Sequence, residues 1–149
     1  MAFSIAFEQK PLCFPYDDRT TPAACGLLTL GRARESFLAS LYQWGVEDYE
    51  RQWKQAVAVL LNKKNKAALI TTYGSPEVAT HLEWWPMYLV GDIVYFQNHL
   101  LFYEQLPGRF SMESAFSFLR DRDTVDEQGS RISEWEVPLA EVEAFARSL

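Results

Sequence analysis

The chain offers little raw material for catalysis. It has two histidines, His81 and His99, and two cysteines, Cys13 and Cys25. Both histidines fall in residues 80–103, THLEWWPMYLVGDIVYFQNHLLFY, with Glu83 close by. Two histidines and a carboxylate are the makings of a metal site or an acid–base pair. Whether they converge depends on strand register. An ideal hairpin about Gly91-Asp92 sets His81 opposite Phe102 and His99 opposite Trp84, so the imidazoles point to opposite faces. A bulge at Pro86 that shifted the pairing by one residue would bring them together. No cysteine or carboxylate cluster completes the set, and two ordinary strand histidines are the simpler reading. G-x-S-x-G, P-loop, dinucleotide-glycine and H-E-x-x-H motifs are absent. Tyr73-Gly74-Ser75 has neither the further glycines nor the lysine of a phosphate cradle. The expectation is a protein with no catalytic residues, no metal and no cofactor.

Groups that could bind another molecule are more plentiful. Asp121, Asp123, Asp126 and Glu127 crowd the stretch DRDTVDEQGSR, which reads as a solvated turn or as a landing site for a basic partner. Asp17, Asp18 and Glu83 could extend that surface, as could Glu134 and Glu136. Trp84 and Trp85 adjoin on one strand and so point to opposite faces. Both pack in the core, or one stays partly exposed as an aromatic binding anchor. With 14 basic and 20 acidic residues the net charge is −6. That balance argues against direct nucleic-acid binding, which needs positive charge to displace counterions. It suits a basic protein partner.

The elements that must position these groups follow from pattern. At 149 residues the chain is long enough for one domain that buries about 70% of its unfolded surface. No apolar run approaches the roughly 20 residues of a membrane helix. The N-terminus lacks a basic region before an apolar one, so no signal peptide is expected and the location reads as cytoplasmic, where both cysteines stay reduced. Residues 2–8 alternate Phe3, Ile5 and Phe7 as a half-buried strand. Pro11, Pro15, Pro22, Gly26 and Gly31 predict a loop over 9–33. Residues 32–43 read as a short helix through Phe37, Leu38, Leu41 and Tyr42. Residues 46–65 form the strongest helix pattern, with Tyr49, Trp53, Val57 and Leu60 on one stripe and acids before bases, as the helix dipole favours. Residues 66–73 predict a strand, Ser75-Pro76-Glu77 one capped turn, and 80–90 with 93–103 a central hairpin closed by Gly91-Asp92. Pro86 cannot donate to a ladder and marks an edge position or a bulge. A short helix at 111–120, a strand at 132–137 and a terminal helix at 139–148 complete the chain. The class is α+β: a single domain with a mainly antiparallel sheet of four to five strands packed by three to four helices.

Several segments, in order, resemble the immunity proteins of bacterial contact-dependent growth inhibition systems: DYERQWKQAVAVLL, ALITT, WWPMYLVGDIVYFQN with LLFYEQL, RDTVDEQGSRISEW and PLAEVEAFA. The resemblance covers about residues 46–149 and is carried by WWP, GDxVYxQN and ISEW; it does not extend to the first 45 residues. It implies a cytoplasmic antitoxin without catalysis that neutralises the C-terminal toxin domain delivered by a neighbouring cell. The toxin implied is a basic nuclease, a tRNase among the candidates. The shared residues Trp84, Trp85, Pro86, Gly91, Asp92, Tyr95, Gln97, Asn98 and Trp135 would then be scaffold, and the acids Asp121, Asp123, Asp126, Glu127, Asp17, Asp18 and Glu83 the candidate toxin contacts. The competing readings are a ligand-binding or regulatory module with an aromatic pocket near Trp84 and Trp85, and a small enzyme using His81, His99 and Glu83.

Overall fold

A computed structural model describes residues 2–13 and 22–149. Among the described residues, eight strands form two antiparallel sheets. The smaller has β1 (Ala2–Cys13), β2 (Ala23–Gly31) and β3 (Ala33–Ser40) in that order. The larger runs β4 (Lys66–Thr72), β5 (His81–Val90), β6 (Ile93–Phe96) and β8 (Trp135–Pro138), with β7 (His99–Phe102) pairing β5 beyond the end of β6. Helix α1 (Val46–Lys63) links the sheets and α2 (Leu139–Arg147) closes the chain. The α+β class expected from the pattern is the one observed, with the strands divided between two sheets.

Two stretches depart from the sequence reading. The described parts of residues 9–33 are not a loop: they hold the end of β1 and all of β2, while residues 14–21 lie outside the described residues. Gly26 does not break β2. It makes room for the ring of Phe37, since a Cβ at residue 26 would lie 2.2 Å from Phe37 Cζ. Residues 32–43 are not a helix but mostly β3, whose Phe37 and Ala39 point inward while Leu38 stays 44% exposed. Phe37, Leu38, Leu41 and Tyr42 satisfy a helical period, and pairing with β2 along the whole strand, from Ala23↔Ser40 to Leu30↔Ala33, decides for the sheet. Cys25 lies in this hairpin opposite Leu38.

The helix expected from residue 46 onward is present. In α1, Tyr49, Trp53, Ala56, Val57 and Leu60 are buried. Asp48 Oδ2 accepts from the Gly45 N–H at 2.9 Å at its start. The helix also closes the open edge of β4. Gln52 Nε2 donates to Ala68 O at 2.8 Å, Gln52 Oε1 accepts from Ile70 N–H at 2.9 Å, and Trp53 Nε1 donates to Ile70 O at 2.7 Å. An unpaired strand edge invites wrong pairing; here three helix-borne bonds satisfy it.

The β5–β6 hairpin turns at Gly91-Asp92, with Gly91 at φ +64° where a primed two-residue turn needs a glycine. Pro86 is neither at an edge nor in a bulge. It sits in the interior strand β5, in unbroken register with β4 through Ala68↔Pro86. Its carbonyl accepts from Gln97 N–H at 3.1 Å, but proline has no N–H to return. The ladder therefore stops at Gln97-Asn98 and resumes as β7 in the same register, with Met87↔Phe96 on one side of the gap and Trp84↔His99 on the other. The bulge lies one strand over, in β4 between Ile70 and Thr72.

Alternation along β5 defines two faces. Trp85, Met87 and Leu89 face the smaller sheet and α2, where Phe3 meets Phe96 at 5.2 Å and Phe145 at 5.0 Å. Leu82, Trp84, Pro86 and Tyr88 face the chain between β7 and β8, which includes 3-10 turns over Met112–Phe118.

Candidate functional site

The acid-rich stretch is tied to the sheet beneath it at every second or third residue. Lys66 Nζ donates to Leu119 O at 3.0 Å and pairs with Asp121 Oδ1 at 2.7 Å. Tyr88 donates to Arg120 O at 2.9 Å, and burial pushes its hydroxyl up to about 12, so it stays a donor. Arg122 lies over the Tyr95 ring at 3.8 Å and grips Glu134 through Nε at 2.8 Å and Nη2 at 2.6 Å. Such two-point pairing fixes orientation as well as charge. Residues 125–131 then close a small turn, bridged by Val125 and Arg131. In it Asp126 Oδ1 accepts from the N–H groups of Gln128 and Ser130, both at 2.9 Å.

Gln97 joins these ties to the sheet. It is 1% exposed, at the gap that Pro86 opens in the ladder. Its Nε2 donates to Asp123 O at 2.9 Å and to Glu134 Oε2 at 2.8 Å. With both amide hydrogens engaged, Oε1 is left to accept from His99 Nε2 at 2.7 Å, which places that ring's hydrogen on Nε2. Burial, with Arg120 adding to it, holds His99 below the ordinary histidine value, in keeping with a neutral ring. The Arg122 hydrogen bond chiefly holds the Glu134 carboxyl below its usual range.

These contacts sort the expected acids. The Lys66 bond holds Asp121 low and engages its Oδ1, while the side chain stays 96% exposed with Oδ2 outward. One oxygen of Asp126 serves the turn. Asp123 and Glu127 project into solvent around an open depression of about 430 Å³ that Arg120 and Val125 also line. Glu134, read as a surface extension, is instead the half-buried partner of Arg122. Glu83 lies on the opposite face of β5, its Oε1 accepting from Thr71 Oγ1 at 3.1 Å. Asp17 and Asp18 lie outside the described residues. Sequence reading grouped Gln97 with the scaffold without seeing that it locks the loop; its place opposite a proline in the hairpin was the available signal.

The histidines stay apart. His81 pairs Phe102 and His99 pairs Trp84, so the ideal register holds and the shift that would unite them is absent. Among the described residues no three His, Cys, Asp or Glu are grouped to hold a metal ion. Trp84 and Trp85 are both buried, at 2% and 5% exposure. Trp84 forms, with Pro86, His99 and Phe118, part of the wall of a cavity of about 290 Å³. Trp85 lies away from it, against Trp135 at 5.1 Å.

Comparison with known proteins places this arrangement. Residues 39–145 match the family described as the CdiI N-terminal domain. The chain belongs to the CdiI family. A protein named "Immunity protein CdiI" from Enterobacter cloacae is 34% identical to this CdiI-family chain over 109 residues, 73% of this chain and 74% of that one. In a solved CdiA-CT/CdiI toxin and immunity complex from Enterobacter cloacae, one chain superposes with a TM-score of 0.86 and 27% identity, covering 98% of this chain and 97% of that chain. The structural likeness thus takes in β1–β3, where sequence reading found no relative. No helix among the described residues is long and apolar enough to cross a membrane.

Proposed function

We propose that this CdiI-family protein is an immunity protein that acts in the cytoplasm by binding the toxin domain of its own system, and that it works by occlusion without catalysis. Its membership of the family, with a likeness to a chain of a toxin–immunity complex over almost its whole length, carries the reading. The toxin it neutralises is a basic nuclease. The net charge of −6 supports this part, because an acidic inhibitor is steered to a nucleic-acid groove and covers it. Asp123, Glu127 and the outer oxygen of Asp126 form the steering patch, held in place by Gln97, Arg122 and Glu134.

The test is co-expression with the toxin domain encoded beside this chain, followed by calorimetry and a nuclease assay on the purified pair. A one-to-one complex at nanomolar strength, about −12 kcal/mol, with nuclease activity suppressed in proportion to occupancy, is the expected result. A toxin that neither binds nor loses activity overturns the immunity reading. A toxin that binds tightly but cleaves no nucleic acid overturns only the nuclease part.

A further inference from the structure

Residues of both sheets line a groove of about 590 Å³ on the opposite face of β5 from the acidic loop. That is the size of a ligand cleft, commonly about 300–1,000 Å³. Phe37, folded over Gly26, forms its floor on the smaller sheet. Leu38 and Leu100, 44% and 47% exposed, also line it, and Phe102, 39% exposed, adjoins it against His81 with ring centroids 5.2 Å apart. Single exposed leucines need no explanation, but apolar side chains gathered around one concavity mark a contact surface.

Two carboxylates, Glu8 and Glu83, share that groove. The β4 bulge presents the buried Thr71 hydroxyl to Glu83 Oε1, which orients the carboxylate and leaves Oε2 without a partner among the described residues. Bulges often re-aim a side chain in this way. The ion pairs among the described residues join Arg51 to Asp48, Lys66 to Asp121, Arg109 to Glu77 and Arg122 to Glu134. None supplies a cation to Glu8 or Glu83. Glu83, half-buried beside apolar walls and with no cation partner among the described residues, is complementary to a positive group carried on an aliphatic stem.

The geometry points to this groove as a second toxin contact, an anchor that receives a lysine or arginine side chain projecting from an apolar segment of the toxin domain. This rests on the immunity reading above. The stem lies along Phe37, Leu38 and Leu100 while the charge meets Glu83 and Glu8. The two surfaces then divide the work. The solvated acids of the loop set the rate of encounter, and the desolvated groove sets the lifetime of the complex.

The test measures association and dissociation rates with a catalytically disabled form of the toxin domain encoded beside this chain. Glu83→Gln keeps an acceptor for Thr71 and removes only the charge. Glu8→Lys and Leu100→Ser alter exposed positions, so they carry the test even where Glu83→Gln disturbs the sheet. Each is expected to raise Kd about tenfold or more, through faster dissociation. Asp123→Lys, in the loop, should instead slow association and weaken its salt dependence. Wild-type binding with all three groove variants within twofold of it overturns the groove and leaves the immunity function standing. A wild type that does not bind overturns both.

Discussion

Replacing Gln97 by leucine tests whether one buried amide holds the acidic loop in place. The side chain is 1% exposed and of similar size to leucine, so the change is chiefly a loss of hydrogen bonds. Three are lost: to Asp123 O, to Glu134 Oε2 and from His99 Nε2. Asp123 is exposed and water can replace the amide there, so that loss is about 1 kcal/mol. Glu134 Oε2 keeps Arg122 Nε but loses a bond to a charged acceptor, about 1.5–3 kcal/mol; His99, half-buried, loses about 1 kcal/mol. The new leucine returns about 1.5–3 kcal/mol through its own burial. The expected net loss is therefore about 0.5–3.5 kcal/mol, or a fall in Tm of about 1–14 °C for a chain of this length. Urea titration followed by tryptophan fluorescence measures the first quantity. Native-state hydrogen exchange should show faster exchange confined to residues 121–131, with β4 and β5 still protected. Gln97→Glu should be worse than leucine near neutral pH, because it sets a second carboxylate against Glu134. A leucine variant within about 0.5 kcal/mol of wild type, with unchanged exchange in the loop, would falsify the argument and assign the loop's order to Lys66, Tyr88 and Arg122 alone.

Gln52→Leu strips Ala68 O and Ile70 N–H of their partners. At about 1–3 kcal/mol for each of the two buried groups left unpaired, it should cost about 2–6 kcal/mol in urea unfolding, against near-neutrality for the exposed Gln128→Leu. Glu134, whose folded carboxyl is held low chiefly by the Arg122 bond, contributes stability that is present above the unfolded value near 4.5 and lost as pH falls through the folded one. Glu134→Gln should flatten that acid limb in a pH series of urea midpoints. His99 is also depressed in the folded state, by burial first. The unfolded chain takes up that proton first, so stability should begin to fall as pH drops below about 6.5, and His99→Gln should remove this segment of the curve.

What the sequence disclosed was what neighbouring residues decide between themselves. The α1 stripe, the Gly91-Asp92 turn and the register that keeps the histidines apart all depend on spacing within one segment, and all three stand in the structure. Strands β2 and β3 depend on each other instead. Pro22, Gly26 and Gly31 read as breakers until Phe37 is laid over Gly26, and Phe37 with Leu38 reads as helical until residues 33–40 are paired with 23–30. Pro86 misled in a related way. Its missing N–H was read as an edge or a bulge, but a strand has two flanks, and the defect affects only the one toward Gln97.

The same distinction governs the acids. Their crowding over residues 121–127 is visible in one dimension, but which of them remain open to a partner is set by residues far away in sequence. Lys66, 55 positions before Asp121, engages that carboxylate, and Arg122 draws Glu134 off the surface. The gap opposite Pro86 brings Gln97 beneath Asp123. What is left to meet a cation is better oriented than the row of acids suggested: Asp123, Glu127 and one oxygen each of Asp121 and Asp126 on one face, Glu8 and Glu83 on the other. Of the residues the family resemblance marked as shared, Trp84, Trp85, Pro86, Tyr95, Gln97 and Trp135 lie in the core or under these ties, while Gly91, Asp92 and Asn98 are exposed. A relative can therefore keep the frame that holds the loop while exchanging the few outward groups, and under the proposed function those exchanges are where partner specificity can change at least cost to the fold.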